Sequence, residues 1–501
     1  MRAQYLVSCI VILLMSSFTP PRALAAGEEG NSGIKKYDSN WESLKHYQVP
    51  EWFKDAKFGI FIHWGVYAVP AAGNEWYPRN MYLKDEPMYQ HHRETWGEQS
   101  KFGYKDFIPL FKAEKWDPQG WAELFKKAGA EFVVPVAEHH DGFALYASSH
   151  TRWNSAEMGP KRDVVGELSK AVRAQGMKFG ASSHYAHNWN YYPHSEEFDT
   201  SDPKFFGLYG KPHAPGAPAS EEFLETWYAR VKEIIDNYQP DVLWFDFGFN
   251  RPEFEPYRQK IGAYYYNKGL EWNKGVVLQY KKEAFPYGTA VLDIERGKLD
   301  QIRPMVWQTD TSVSWESWGY IENDRFKTAD SLVDDLVDIV SKNGVLLLNV
   351  GPRADGTIPD EAANILLGIG RWLEVNGEAI YGTRPWHTYG EGPTTIHADS
   401  FGESKSQPFT AKDIRFTTKG NILYAICLDW PGEEVNVASL STKTFLGSQE
   451  ISDISLLGSQ ENLTWSRDEN GLKIKLPAQK PGDYAYVLKI VLEGEVLGTV
   501  K

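Results

Sequence analysis

Cysteine is nearly absent from this 501-residue chain, which carries only two. One of them, Cys9, falls in an N-terminal segment that reads as removable: Met1-Arg2, an apolar run from Tyr5 to Phe18, then Ala23-Leu24-Ala25. A basic start, a greasy middle and a small-residue cleavage site form an export signal, so residues 1–25 are predicted to be a signal peptide and the mature chain to begin near Ala26. The run is shorter than the roughly 20 apolar residues that cross a bilayer, and no stop-transfer charges follow it. Leu6-Val7-Ser8-Cys9 faintly resembles a lipoprotein site, but cleavage there would leave almost no hydrophobic segment. The expectation is an exported protein, periplasmic or extracellular, with no membrane span. Cys427 would then be the only cysteine, which excludes an internal disulfide and leaves stability to a large core.

An excess of positive charge is also lacking. The formal charge is −14, or about −16 once Arg2 and Arg22 leave with the signal. A nucleic-acid partner is therefore not expected, and the same field opposes a polyanionic substrate unless local cations override it. No internal repeat or low-complexity block is present. Tryptophan is abundant instead, at 19 residues. Flat aromatic faces hold the apolar side of a pyranose ring, although most of these rings are expected in the core.

Residues 26–40 are polar and aperiodic and read as a linker. From Trp41 short apolar runs alternate with helix-like segments. The runs are Phe58–Trp64, Phe132–His139, Lys178–His184, Asp241–Phe247, Gly275–Tyr280, Val291–Glu295, Pro304–Asp310 and Val345–Gly351. Amphipathic stretches such as Asp117–Ala130, Asp163–Gln175, Glu221–Tyr238, Thr328–Lys342 and Pro359–Asn376 lie between them. Eight strands alternating with helices predict a (β/α)8-like barrel over residues 41–388, irregular where the fifth and sixth strands are joined by too little chain for a helix. Short alternating runs follow, including Ile414–Thr417, Ile422–Leu428, Leu472–Leu476 and Tyr484–Leu492, and predict a C-terminal β-sandwich over 389–501. That domain holds no cluster of histidines and carboxylates and reads as a packing partner for the barrel.

Reacting groups of such barrels come from the C-terminal ends of the strands. Here the first run ends in His63, the second in Glu138-His139-His140-Asp141, the third in His184, the fourth in Asp246, the sixth in Glu295 and the seventh in Gln308 and Asp310. One shared pocket explains that pattern better than six separate core groups. Two chemistries suit it, metal-assisted hydrolysis and glycoside hydrolysis by paired carboxylates. A metal would draw on His63, His139, His140, Asp246 and Glu295, but adjacent His139 and His140 point to opposite sides of a regular strand. A glycosidase needs one ionised carboxylate under the anomeric carbon and one carboxylic acid beside the leaving oxygen. Asp246 suits the first role, because a charge closing the apolar run Val242-Leu243-Trp244-Phe245 is costly without a purpose or a partner. Glu295 suits the second, against the plainer alternative of a rim salt bridge with Arg296.

Several long motifs now become recognisable. Trp52-Phe53-Lys54-Asp55-Ala56-Lys57-Phe58-Gly59-Ile60-Phe61-Ile62-His63-Trp64-Gly65 resembles the opening strand of the α-L-fucosidases of glycoside hydrolase family 29. Asn74-Glu75-Trp76-Tyr77, His139-His140-Asp141-Gly142-Phe143, Gly159-Pro160-Lys161-Arg162-Asp163 and Ser341 to Pro352 follow in the same order. The resemblance implies a barrel followed by a β-sandwich, no metal or other cofactor, a fucosylated oligosaccharide or glycan as substrate, and retention through a covalent fucosyl-enzyme. Carried over residue by residue, it implies Asp246 as nucleophile, Glu295 as acid/base, and His63, Glu75, Trp76, His139, His140 and Trp244 as the sugar pocket; His184 joins them from its place after the third strand. The pattern departs at Glu138, where many members have Lys, at Ala181-Ser182-Ser183-His184, and at Gln279-Tyr280-Lys281, which replaces a frequent Asp-Arg-Trp. The first two departures suggest a different hydrogen-bonding wall in the pocket. The acid/base loop is the least transferable part, so Glu283 and Glu316 stand behind Glu295. An α-L-galactosidase and a catalytically inactive sugar-binding homologue are the alternatives.

Overall fold

The computed structural model describes residues 36–444 and 449–500. The expected signal peptide and most of the expected linker lie outside the described residues. Packing begins at Tyr37, whose ring meets Tyr266 at 5.3 Å.

Eight parallel strands close into a barrel: β1 Phe58–Ile62, β2 Phe132–Glu138, β3 Lys178–Ser183, β4 Val242–Phe245, β5 Val277–Lys281, β6 Val291–Asp293, β7 Trp307–Ser312 and β8 Gly344–Val350, with β8 returning to β1. All eight expected strands are present. They read as unbroken apolar runs because a sheet wrapped in helices is buried on both faces; every residue of β1, β2 and β8 is buried. The surrounding helices include Pro118–Lys127, Val164–Ala174, Glu221–Tyr238, Ala329–Ser341 and Asp360–Asn376. Side-chain oxygens of Asp117, Asp163, Ser220 and Thr328 cap the first four, each cap contributing about 1 kcal/mol. The helix Glu255–Glu271 was not among the expected stretches. Its inner positions are filled largely by tyrosine (Tyr257, Tyr265 and Tyr266 are buried), so its apolar stripe is weak in the sequence. No helix joins β5 to β6, as expected, and β6 touches β7 through one residue pair, Asp293 with Gln308.

The C-terminal part forms a five-stranded sheet, ordered β13-β16-β11-β10-β9, and a three-stranded sheet, ordered β12-β15-β14. These strands are β9 Arg384–Glu391, β10 Ile414–Lys419, β11 Ile422–Cys427, β12 Glu434–Val437, β13 Ile451–Leu456, β14 Thr464–Asp468, β15 Gly471–Lys475 and β16 Tyr486–Leu492. Trp386, Phe416, Val437, Ile474 and Leu488 share one core between the sheets. Because β9 pairs with β10, this domain takes up the chain from Arg384, slightly before position 388. Cys427 is buried in that core and its thiol is pushed up to about 12 by burial.

A buried ionic triad ties the domains together. Both oxygens of Asp338, on the helix Ala329–Ser341, accept from Lys342 Nζ at 2.8 Å, and one accepts from Arg415 Nε of β10 at 2.6 Å. Burial opposes the Asp338 charge, but the two cations outweigh it and hold the carboxyl below its usual range. Asp338→Ala leaves two buried cations unpaired and is expected to cost about 3–5 kcal/mol in denaturant unfolding. A loss below about 1 kcal/mol would show that water compensates the cations there.

Candidate active site

The ends of β2, β3 and β5 converge on Asp246, the first residue past β4. Its Oδ2 lies 3.1 Å from His140 Nε2 and 3.3 Å from His184 Nδ1, and its Oδ1 lies 3.4 Å from Lys281 Nζ. Oδ1 has no hydrogen-bond partner among the described residues. Burial alone would neutralise Asp246, but the Lys281 charge and the two imidazole hydrogen bonds hold its carboxyl well below the usual range. It is an anion with one oxygen uncommitted.

Lys281, the last residue of β5, organises the opposite wall. Its Nζ is 2.8 Å from Glu295 Oε2 and 3.1 Å from Asp310 Oδ2, with the ring of Trp244 at 4.8 Å. Burial pushes Glu295 up; Lys281 opposes that, while the charges of Asp310 and Asp246 reinforce it, and the result is about 7. Asp310 is pushed well above the usual carboxylate range by burial and by Asp293 beside it, and burial raises Asp293 too, so the two titrate as a pair that shares a proton. Asp293 accepts from Trp244 Nε1 at 3.1 Å and from Gln308. The oxygens of Asp246 and Glu295 flank one ammonium, at 3.4 and 2.8 Å from Lys281 Nζ, and two carboxyl groups on one pocket are what glycoside hydrolysis needs.

Four histidines form the other side. His63 Nδ1 donates to Asn349 Oδ1 at 2.8 Å, which leaves Nε2 for the cavity. His140 Nδ1 donates to the His184 carbonyl at 2.7 Å. Burial drives His184 down to about 4 and His63 and His139 well below their ordinary value, so these rings are neutral donors and acceptors. The His139 and His140 rings lie 4.6 Å apart, because the strand ends at Glu138 and the chain turns there. The alternation that separated them holds only inside a strand, so that objection to a metal fails. His63, His139 and His184 form one set able to hold a cation, and His140, His184 and Asp246 another.

Trp76 stands at the rim, parallel to Phe247 at 6.1 Å and 5.3 Å from His140. Trp244 is 1% exposed and packs on Phe61 and His184, so it is the floor of the pocket. Glu75 is buried and accepts from Trp318 N at 2.9 Å and Ser317 Oγ at 3.2 Å, pinning the loop after β7.

Three expectations need correction. Glu138 faces away from the cavity, bound to Arg230 Nε at 2.8 Å and Ser183 Oγ at 2.7 Å, so its departure from Lys leaves the pocket wall unchanged. Arg296 does not pair with Glu295; it reaches Glu403 at 2.9 Å, and Lys281 is the cation opposing Glu295's proton. Glu283 is exposed, and Glu316 is bound to Arg325 at the surface, so neither joins the cluster.

The α-L-fucosidase family model matches residues 24–378, and that of the α-L-fucosidase C-terminal domain matches 407–491. The chain belongs to the α-L-fucosidase family. Human tissue α-L-fucosidase is 32% identical over 467 residues, 91% of this chain and 92% of that protein. The α-fucosidase of Thermotoga maritima, crystallised with a mechanism-based inhibitor, is 34% identical, covers 91% of this chain and 100% of its own, and superposes with a TM-score of 0.75. Its complex with fucose gives 0.73.

Within this fucosidase-family site, sequence reasoning missed Lys281, Asp293, Trp318 and Asn349. Lys281 had a signal: Gln279 and Lys281 are polar at alternate positions of an apolar run, which marks the inward face. The expected strand stopped one residue short of it. Lys281→Met should raise both carboxyls, because the ammonium lowers each. Both limbs of the kcat/KM profile should therefore move to higher pH, and unmoved limbs would show that Lys281 does not set them.

Proposed function

We propose that this protein is a retaining exo-α-L-fucosidase that removes terminal α-L-fucosyl residues from oligosaccharides or glycans. The observation that carries the reading is the pair Asp246 and Glu295: both touch Lys281, and their proton affinities are displaced in opposite directions. The Asp246 carboxylate attacks the anomeric carbon as the glycosidic C–O bond breaks, and Glu295 gives its proton to the departing oxygen. Water then attacks the fucosyl-enzyme while Glu295 takes back a proton and Asp246 leaves.

Neutral His63, His139 and His184 would bind the hydroxyls together with His140. Trp76 would meet the C5 methyl and Trp244 would support it from below. Export through a cleaved leader belongs to the same proposal, on the pattern of residues 1–25; among the described residues no helix is long and apolar enough to cross a membrane.

Asp246→Ala should lower turnover by several orders of magnitude with the fold intact, and near-normal activity would remove the central role. Glu295→Ala should nearly abolish cleavage of oligosaccharides yet still form the fucosyl-enzyme from an activated aryl fucoside, giving a burst and a slow phase. Added azide should restore turnover and yield a fucosyl azide of retained configuration. In the wild type, kcat/KM should fall as pH rises through about 7, where Glu295 loses its proton. A Glu295→Ala variant that behaves like wild type on both substrates would refute its role. Preference for α-L-galactosides would change the substrate, and turnover abolished by chelation and restored by zinc would bring the metal back.

A further inference from the structure

Glu295 sits on a stretch with no regular element, between β6, which ends at Asp293, and β7. A general acid gives up its proton only across a hydrogen-bond distance, so such a stretch needs something to fix it. Part of the fixing comes from the barrel: the N–H groups of Ile294 and Arg296 donate to the carbonyls of Gln308 and Asp310 at 2.9 and 2.8 Å. Two carbonyls of the same stretch find their donors in the C-terminal domain. Phe401 N–H reaches the Glu295 carbonyl at 2.8 Å and Glu403 N–H the Arg296 carbonyl at 3.1 Å, both from the segment between β9 and β10. A Cβ at Gly297 would stand 2.3 Å from the Asp399 carbonyl, so only glycine admits this approach.

The same segment is anchored by charge. The Glu403 side chain is 8% exposed and accepts from Arg296 Nη1 at 2.9 Å, Lys327 Nζ at 2.8 Å and Thr311 Oγ1 at 2.6 Å. Burial opposes its charge, but Lys327 and Arg296 outweigh that and hold the carboxyl below its usual range. Glu403 thus joins three barrel residues: the neighbour of the acid, Thr311 beside Asp310, and Lys327 just ahead of the helix Ala329–Ser341. Arg296 in turn lies 4.7 Å over the ring of Trp318, which stands 5.1 Å from His63 in the sugar pocket.

We propose that Glu403 is a positioning residue for the acid/base: with the N–H of Phe401 it braces the chain at Glu295 and Arg296 and keeps the Glu295 carboxyl on Lys281. The C-terminal domain thereby acts in the reaction without touching the substrate. Misplacing a reacting group by about 1 Å can cost about 100-fold in rate. Here the loss falls on leaving groups that need a proton and spares those that do not. The inference rests on Glu295 being the acid.

The test measures kcat/KM of full-length wild type, Glu403→Ala, Gly297→Ala and Glu295→Ala on a fucosylated trisaccharide and on α-L-fucosyl fluoride, whose leaving group needs no proton. Gly297→Ala pushes the Asp399 carbonyl away without removing a charge, so it carries the test if Glu403→Ala does not fold. In both variants the trisaccharide value should fall about 10–100-fold while the fluoride value stays close to that of the wild type. The high-pH limb on the trisaccharide should also move to lower pH. Water at a loosened Glu295 removes the burial that raises it to about 7, and Lys281 still lowers it against Asp310 and Asp246. An equal loss on both substrates with an unmoved limb is what a contact that only holds the domains together would give, and it overturns the inference. So does a wild-type rate on the trisaccharide in the two variants. If Glu295→Ala itself loses no more on the trisaccharide than on the fluoride, the acid role falls and the positioning role with it.

Discussion

A single buried ammonium sets the chemistry of this pocket. Lys281 stands within ion-pair distance of Asp246, Glu295 and Asp310, and Asp293 adds its field from behind. Four carboxyl groups in so little space cannot all ionise. The proton shared by Asp293 and Asp310 removes one charge and Lys281 balances another, so the remaining difference falls between Asp246 and Glu295. Asp246 has two imidazoles in addition to the ammonium and stays an anion. Glu295 has the ammonium alone and is poised near neutrality.

This arrangement was only partly legible in the sequence. The barrel was, because strands buried on both faces leave apolar runs and each run ended in a polar residue. Asp246 was, because a carboxylate at the end of Val242–Phe245 has no cheap explanation. Lys281 was obscured by the irregular stretch around it: the chain between β5 and β6 lacks the helix that elsewhere marks where a strand stops. Asn349 looked like one more polar residue in a long strand, yet it fixes the tautomer of His63. Glu138 misled in the opposite direction, since the last residue of a strand can turn outward and be consumed by the helix layer, as Arg230 shows.

The C-terminal domain illustrates why a module without catalytic-looking residues resists such reading. What it contributes near the barrel is backbone and position: a carbonyl at Asp399, two N–H groups at Phe401 and Glu403, and one carboxylate, that of Glu403, set between Arg296 and Lys327. None of these has a sequence signature, because each acquires its meaning from a partner about a hundred residues or less away along the chain but in another domain. Arg296 itself sits at a positive φ of 43°, a conformation that a non-glycine residue keeps only when its surroundings hold it there.

Burial of Cys427 bears on a different property. A thiol with its proton affinity at about 12 has essentially no thiolate near neutrality, and the thiolate is the form that attacks disulfides and takes up oxidants. The described chain has no other sulfhydryl. Among the described residues the folded protein therefore offers no reactive thiol to glutathione disulfide, and no disulfide for a reducing medium to break.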